Sequence, residues 1–166
     1  MTDDIMTTAE YHESDALPRA YAIHCDPART SAEQEPLPEG MAGSAAGKSP
    51  AQWAYQRLVL YISSFEKELD SDHEVALGLV GGAQGVMRIE GMGYFDPDIV
   101  TFYGTDPQGG RTQMIQHVSQ LNVLLKTVTK QPDKAAPTRI GFRLVASLDE
   151  DGAEPAPEDM SGALRP

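Results

Sequence analysis

A single cysteine, Cys25, stands in 166 residues, so neither a disulfide nor a cysteine-built metal centre can form within one chain. No apolar run approaches the ~18 residues that a membrane-crossing helix needs. The opening MTDDIMTTAE is acidic and lacks an apolar stretch, which excludes a secretory signal. A cytoplasmic protein with no membrane partner is the expectation. Basic residues are also scarce, and the net charge is −12. That deficit sits at the ends. Residues 48–147 hold ten Lys/Arg and ten Asp/Glu, whereas 1–47 carry two basic against nine acidic residues and 148–166 one against six. A neutral middle neither recruits nucleic acid by charge nor excludes it. Phosphate-loop and dinucleotide fingerprints are missing, as are the serine nucleophile elbow and EF-hand spacing. No cofactor, no metal and no catalytic residue is therefore expected.

What is present divides the chain in three. Residues 1–47 have Ile5, Leu17, Ile23 and Leu37 as their only large aliphatics. Such a segment cannot bury enough surface to offset its ordering entropy, so a disordered acidic tail is expected. Within it ALPRAYAI, residues 16–23, reads either as a short docking motif or as a few apolar residues in a tail. Residues 149–166 read as a second disordered acidic tail. The periodic pattern lies in residues 48–148, one globular domain.

That domain opens on Ser49-Pro50-Ala51-Gln52, a capping-box start. Ala54, Leu58, Tyr61, Phe65 and Leu69 then form one stripe of a helix running to about Asp70, and Tyr55, Val59 and Ile62 widen that face for packing on a sheet. Val75, Leu77 and Leu79 alternate with smaller or polar residues as a strand, and residues 81–85 make a glycine turn before a strand from Val86 to Tyr94. Residues 91–125 organise the rest. Phe95-Asp96-Pro97-Asp98 and Asp106-Pro107-Gln108-Gly109-Gly110 are turns, and IVTFY between them is a strand of β-branched and aromatic residues. A two-residue first turn would set Gly93 opposite Val100 and Gly91 opposite Phe102. Another strand is expected from Arg111 to about His117. Residues 118–130 fit a helical face (Val118, Leu121, Leu125, Val128) and also a short strand (Leu121, Val123, Leu125). Ile140, Phe142 and Leu144 alternate, which predicts a final strand over 138–148.

The fold class is α+β: an N-terminal amphipathic helix on a bent antiparallel β-sheet of about five strands. Two resemblances bear on it. The run GMGYFDPDIVTFYG followed by QHVSQLNVLL is similar to the hallmark of a bacterial family of unknown function, over residues 50–147. The order of elements also resembles the Sm-like family, its Hfq branch above all. That resemblance implies a small barrel whose subunits close a ring through edge strands, and an RNA-binding surface. Gly85, Phe95, Asp96 and His117 fall on its turn glycine, its Phe-Asp pair and its strand-four histidine. Ile115-Gln116-His117 departs from its Tyr-Lys-His triplet, and Pro97-Asp98 from its amide and aromatic. The small barrel is the specific expectation. The alternative is an open sheet with a second helix at 118–130.

His117 has Asp96, Asp98 and Glu90 available, though no spacing brings them to it. Gln116, His117 and Gln120 are expected to cluster at one end of the sheet, where His117 supports ligand contact or assembly; the alternative is a structural histidine. Asp96, Asp98 and Asp106 are explained by turn formation without a cation. Tyr94, Phe95, Phe102 and Tyr103 with Arg88, Arg111 and Arg143 form either a stacking surface or an aromatic core with surface arginines. Tyr103, Arg88 and Arg111 join the first three as candidate ligand or interface residues. The expected function is a non-enzymatic binding module, an oligomeric Sm-like nucleic-acid or nucleotide binder. The alternative is a protein–protein interaction module; a homo-oligomer is a further partner.

Overall fold

Ser49 begins the first helix as its spacing to Gln52 implies. In the computed structural model, which describes residues 20–38, 41, 47–78 and 85–152, the Ser49 hydroxyl accepts the Gln52 N–H at 3.1 Å. Pro50 takes the first helical position, where no N–H is needed. Helix α1 spans Pro50–Lys67, and Ala51, Tyr55, Val59 and Ile62 turn a buried stripe toward the sheet. The segments expected as tails at 1–19 and 153–166, Leu79, and residues 81–84 of the glycine turn lie outside the described residues.

Among the described residues five strands follow: β1 (His73–Gly78), β2 (Val86–Phe95), β3 (Ile99–Thr105), β4 (Arg111–His117) and β5 (Leu124–Thr129). All pairs are antiparallel, in the order β4-β3-β2-β1-β5. β4 and β5 do not pair, so the bent sheet stays open and the small barrel does not form. Residues 118–130 are not the alternative's second helix either. Val118–Gln120 is one 3-10 turn, and β5 pairs in register with β1, Leu125 opposite Leu77. Val118, Leu121 and Val123 pack on the core as the chain crosses from one sheet edge to the other, which holds those edges apart.

The second helix lies later. Residues 138–148, expected as a strand, form most of α2, Ile140–Gly152. Ile140, Leu144 and Leu148 satisfy a period of two and a period of four alike; Phe142 fits only the first. These three are buried while Phe142 is exposed, so the four-residue stripe decides. Each buried side chain contributes about 1.5–3 kcal/mol. Gly141 lets α2 approach α1, because a Cβ there would lie 2.8 Å from the Ser63 Cα.

Glu66 of α1 caps α2. Its Oε2 accepts the Gly141 N–H at 2.8 Å, and the residue is buried. Burial pushes this carboxyl above the ordinary range, against the Gly141 N–H and the Arg139 charge that favour the anion. A raised folded pKa gives stability that is complete below the unfolded pKa and lost as pH rises through the folded value. Glu33 has the opposite sign, because the Ser31 and Tyr61 hydroxyls lower its pKa. The clean readout is therefore a difference between proteins. Glu66→Gln should lack the stability loss that the wild type shows between weakly acidic and neutral pH. Urea melts of both proteins across that range check it; parallel profiles would contradict it.

Residues 20–38 run along α1 as a strap, with His24 and residues 29–32 gathered beside Tyr61 and Leu125 of β5. The Tyr61 hydroxyl donates to Glu33 Oε1 at 2.6 Å, Arg29 pairs with Glu68 at 3.1 Å, and Lys67 pairs with Glu35 at 2.5 Å. Exposed ion pairs of this kind contribute about 0–1 kcal/mol each. Met41 is buried in the core, although it lies within the stretch read from sequence as a tail. No helix among the described residues is long and apolar enough to cross a membrane.

Candidate functional site

Strand pairing decides which side chains share a face. The β2–β3 loop has three residues, Asp96 to Asp98, so Gly93 lies opposite Thr101 and Gly91 opposite Tyr103. This shifts by one residue the register that a two-residue turn would give. The second turn forms as its residues imply. Asp106 Oδ1 accepts the Gln108 and Gly110 N–H groups at 2.9 and 2.8 Å, and Gly109 takes φ 84°.

Directly opposed residues stand on the same face. Away from α1, this gives the rows Phe95–Ile99–His117, Gly93–Thr101–Ile115, Gly91–Tyr103–Gln113 and Arg88–Thr105–Arg111. The two glycines leave room on this outer face. A Cβ on Gly91 would lie 3.6 Å from the Tyr103 ring, and one on Gly93 would lie 2.9 Å from Thr101 Oγ1. Phe95 is 75 %, Ile115 64 % and Tyr103 43 % exposed. Contiguous apolar side chains exposed on a sheet face mark a contact surface more often than an accident of packing.

The candidate residues divide on this geometry. His117, Tyr103, Arg88 and Arg111 share the outer face. Gln116 points to the other side, opposite buried Val100, with its Oε1 buried and without a hydrogen-bond partner among the described residues. Gln120 lies in the 3-10 turn beyond β4, exposed. The expected cluster of Gln116, His117 and Gln120 therefore does not form on one face, because adjacent strand residues point opposite ways. Arg111 and His117 sit at opposite ends of β4, about 20 Å apart at ~3.3 Å per residue. They do not frame one small-molecule pocket.

The mixed aromatic set separates too. Phe102 is fully buried, Tyr94 packs its ring 5.2 Å from that of Tyr55, and Arg143 is on α2. Arg88 is committed, donating to Glu74 Oε2 and to the Thr129 carbonyl, each at 2.8 Å. Glu74 also takes the Thr138 N–H at 2.8 Å, so the outer face is covered near β1. Arg111 makes no ion pair among the described residues. Ile115 was not among the expected contact residues. The alternation of Arg111, Gln113, Ile115 and His117 on an edge strand was the available signal.

His117 does meet a carboxylate. Its Nε2 lies 2.9 Å from Asp98 Oδ2, while Nδ1 takes the Ser119 N–H at 3.1 Å and lies 2.7 Å from the Ser119 hydroxyl. Nδ1 is thus an acceptor, so the ring proton sits on Nε2 and donates to Asp98. Asp98 also accepts the Val118 N–H on its backbone carbonyl at 2.8 Å. The triplet ties the β2–β3 turn to the end of β4. It resembles a nucleophile–base–acid relay in composition, but His117 and Ser119 are exposed, only Asp98 is half-buried, and Ser119 belongs to the turn that His117 itself begins. Of the other turn carboxylates, Asp96 accepts the Ser49 hydroxyl and Asp106 its own loop's N–H groups. No group of three or more His, Cys, Asp or Glu is gathered for a metal ion among the described residues.

The family comparison covers the elements that build this face. One family model matches residues 47–143, from the residues before α1 to the first turn of α2. No curated protein matches the chain, and no solved structure does. The matched span exceeds half the sequence and includes every strand. The chain belongs to a family of unknown function, DUF6173.

Proposed function

We propose that this protein is a non-enzymatic binding module that engages another protein through the outer face of β2, β3 and β4. The observation that carries the reading is the exposure of Phe95, Tyr103 and Ile115 together beside Gly91 and Gly93. Aromatic and aliphatic side chains at the centre, with few charges, have the composition of an interface core. Arg111 lies at one end and suits an acidic group on the partner. Phosphate recognition has less support, because Arg88 is committed to Glu74 and Asp98 places a carboxylate at the other end.

A second reading keeps the nucleic-acid or nucleotide ligand. It rests on Tyr103 and Phe95 as stacking surfaces near Arg111, and on the helix-then-five-strands order that the Sm-like resemblance implies. Among the described residues the outer edges of β4 and β5 have no strand partner, and such edges are what a ring of copies would use.

The test uses the full chain and the variant Tyr103→Ala/Ile115→Asp, whose changes lie on the exposed face and should leave the melting temperature within a few degrees. In affinity capture, partners held by the wild type should be lost from this variant and kept by the control Lys134→Ala. In anisotropy titrations, a fluorescent single-stranded RNA should show no binding that depends on Tyr103 or Arg111. Partners retained by the face variant would overturn the protein reading. RNA affinity abolished by Tyr103→Ala and by Arg111→Ala would replace it with the second.

A further inference from the structure

Between the strap and α1 lies a cavity of about 360 Å³, lined by Leu37, Met41 and Leu60 and by the rings of Tyr21, Trp53 and Tyr61. A dry cavity of about 150 Å³ already accommodates a benzene ring, so this one has room for a ring and a polar group attached to it. Its charges are unevenly committed. Glu33 is in the lining, but its Oε1 takes the Tyr61 hydroxyl and its Oε2 the Ser31 hydroxyl, each at 2.6 Å. Arg57, also in the lining, makes no ion pair among the described residues. Its guanidinium carbon lies 4.3 Å from the centre of the Trp53 ring. The Lys48 ammonium lies 5.1 Å from the same ring, enclosed and without a hydrogen-bond partner among the described residues. Burial pushes its pKa down. An enclosed ammonium without a partner lowers the stability of the fold. Together with Arg57 it leaves the Trp53 end of the cavity short of an anion.

We infer that this cavity binds a small aromatic carboxylate, its ring against Trp53 and Tyr21 and its carboxylate on Arg57. A guanidinium held by a ring contact rather than an ion pair keeps its N–H donors available, and its fork matches a carboxylate with two parallel bonds. Tyr21 is 82 % exposed, so a ligand ring stacked on it covers surface that water now touches. Lys48 adds a second positive charge from an enclosed position, where solvent screens it less. A monoanion suits the site better than a phosphate dianion, because Glu33 lines the same cavity and the chain carries net charge −12. The site lies away from the outer face of β2, β3 and β4 and does not depend on the reading of that face.

Trp53 is the only tryptophan, so its emission reads this cavity alone. The probe is hydrocinnamate, a phenyl ring joined by two methylenes to a carboxylate. Titrated into the full chain, it should change that emission saturably, with a dissociation constant of about a millimolar or below. Hydrocinnamyl alcohol, which lacks the charge, should bind at least ~10-fold more weakly. Arg57→Ala should weaken hydrocinnamate by a similar factor; calorimetry reads this variant, because removing Arg57 alters the emission of Trp53 itself. If Arg57→Ala melts early, the two probes on the wild type decide alone. Lys48→Met should weaken binding while the melting temperature holds or rises, since an enclosed unpartnered charge is removed. The opposite pair, a lowered melt with unchanged affinity, makes the cluster structural and overturns the proposal. So does the absence of a saturable response up to the probe's solubility limit, or an affinity that survives the loss of Arg57. Phenyl phosphate should bind more weakly than hydrocinnamate; tighter binding overturns the carboxylate assignment. Tyr103→Ala/Ile115→Asp should bind the probe as the wild type does, so this proposal and the outer-face reading can fail separately.

Discussion

Gly104→Ala should unfold most of the protein, with a loss of about 4 kcal/mol or more, at the exceptional end of single substitutions. Gly104 is buried in β3 opposite Ile89, and a Cβ there would lie 1.8 Å from the Arg88 carbonyl oxygen. Backbone atoms on a neighbouring strand cannot move aside as a side-chain end can. The Arg88 carbon and the Met87 Cγ would each lie 2.9 Å away, so no direction of relief is open. β2 and β3 must separate or the methyl cannot enter. The circular-dichroism signal and the urea midpoint check this. A variant melting within a few degrees of wild type would show that β2 shifts cheaply at this point. Gly109→Ala is the contrast: φ is 84° but nothing lies within 4 Å, so the cost should stay near 1–2 kcal/mol.

Phe102→Ala should cost about 3–5 kcal/mol. Phe102 is the largest of the fully buried side chains, and strand pairing sets it between Met92 and Met114. The methionines are flexible enough to fill part of the space, which favours the lower half of that range. Its neighbour Tyr103 stands on the outer face, so Tyr103→Ala should cost less than about 1 kcal/mol. Equal losses from the two variants would mean that the outer face is covered in solution.

The elements legible in the sequence were those whose signals are local. Ser49, Pro50 and Gln52 fix the start of α1 within four residues, and Asp106 with Gly109 builds its turn from its own side chain and backbone. Elements that needed distant information were open or misread. β5 is a strand because β1, far earlier in the chain, offers it a partner. Ile140, Leu144 and Leu148 satisfy both periods, and only their packing on the core, with Phe142 left exposed, separates them. The site follows the same division. Tyr103, Arg111 and His117 are visible as chemistry, but their common face depends on the pairing of β3 with β4, and the placing of Gly91, Gly93 and Phe95 beside them on a three-residue β2–β3 loop. The Asp98–His117 contact depends on that loop as well, since Asp98 is its last residue.

The register of β2 against β3 shifts between Ile89 and Gly91, leaving Glu90 without an opposite residue. Before that point the odd-numbered Met87 and Ile89 face the core; after it the even-numbered Met92 does, and Phe95 is turned out. The strand thus changes its side-chain frame midway, as an inserted base changes a reading frame. Substituting Glu90 alters one exposed carboxylate and its contact with Thr105. Deleting it would remove the bulge and leave Ile89 inward, Gly91 outward and Met92 inward, the regular alternation that their partners Gly104, Tyr103 and Phe102 already follow on β3. It is an insertion elsewhere in β2, not the loss of Glu90, that would make wall and exterior trade places along the rest of the strand.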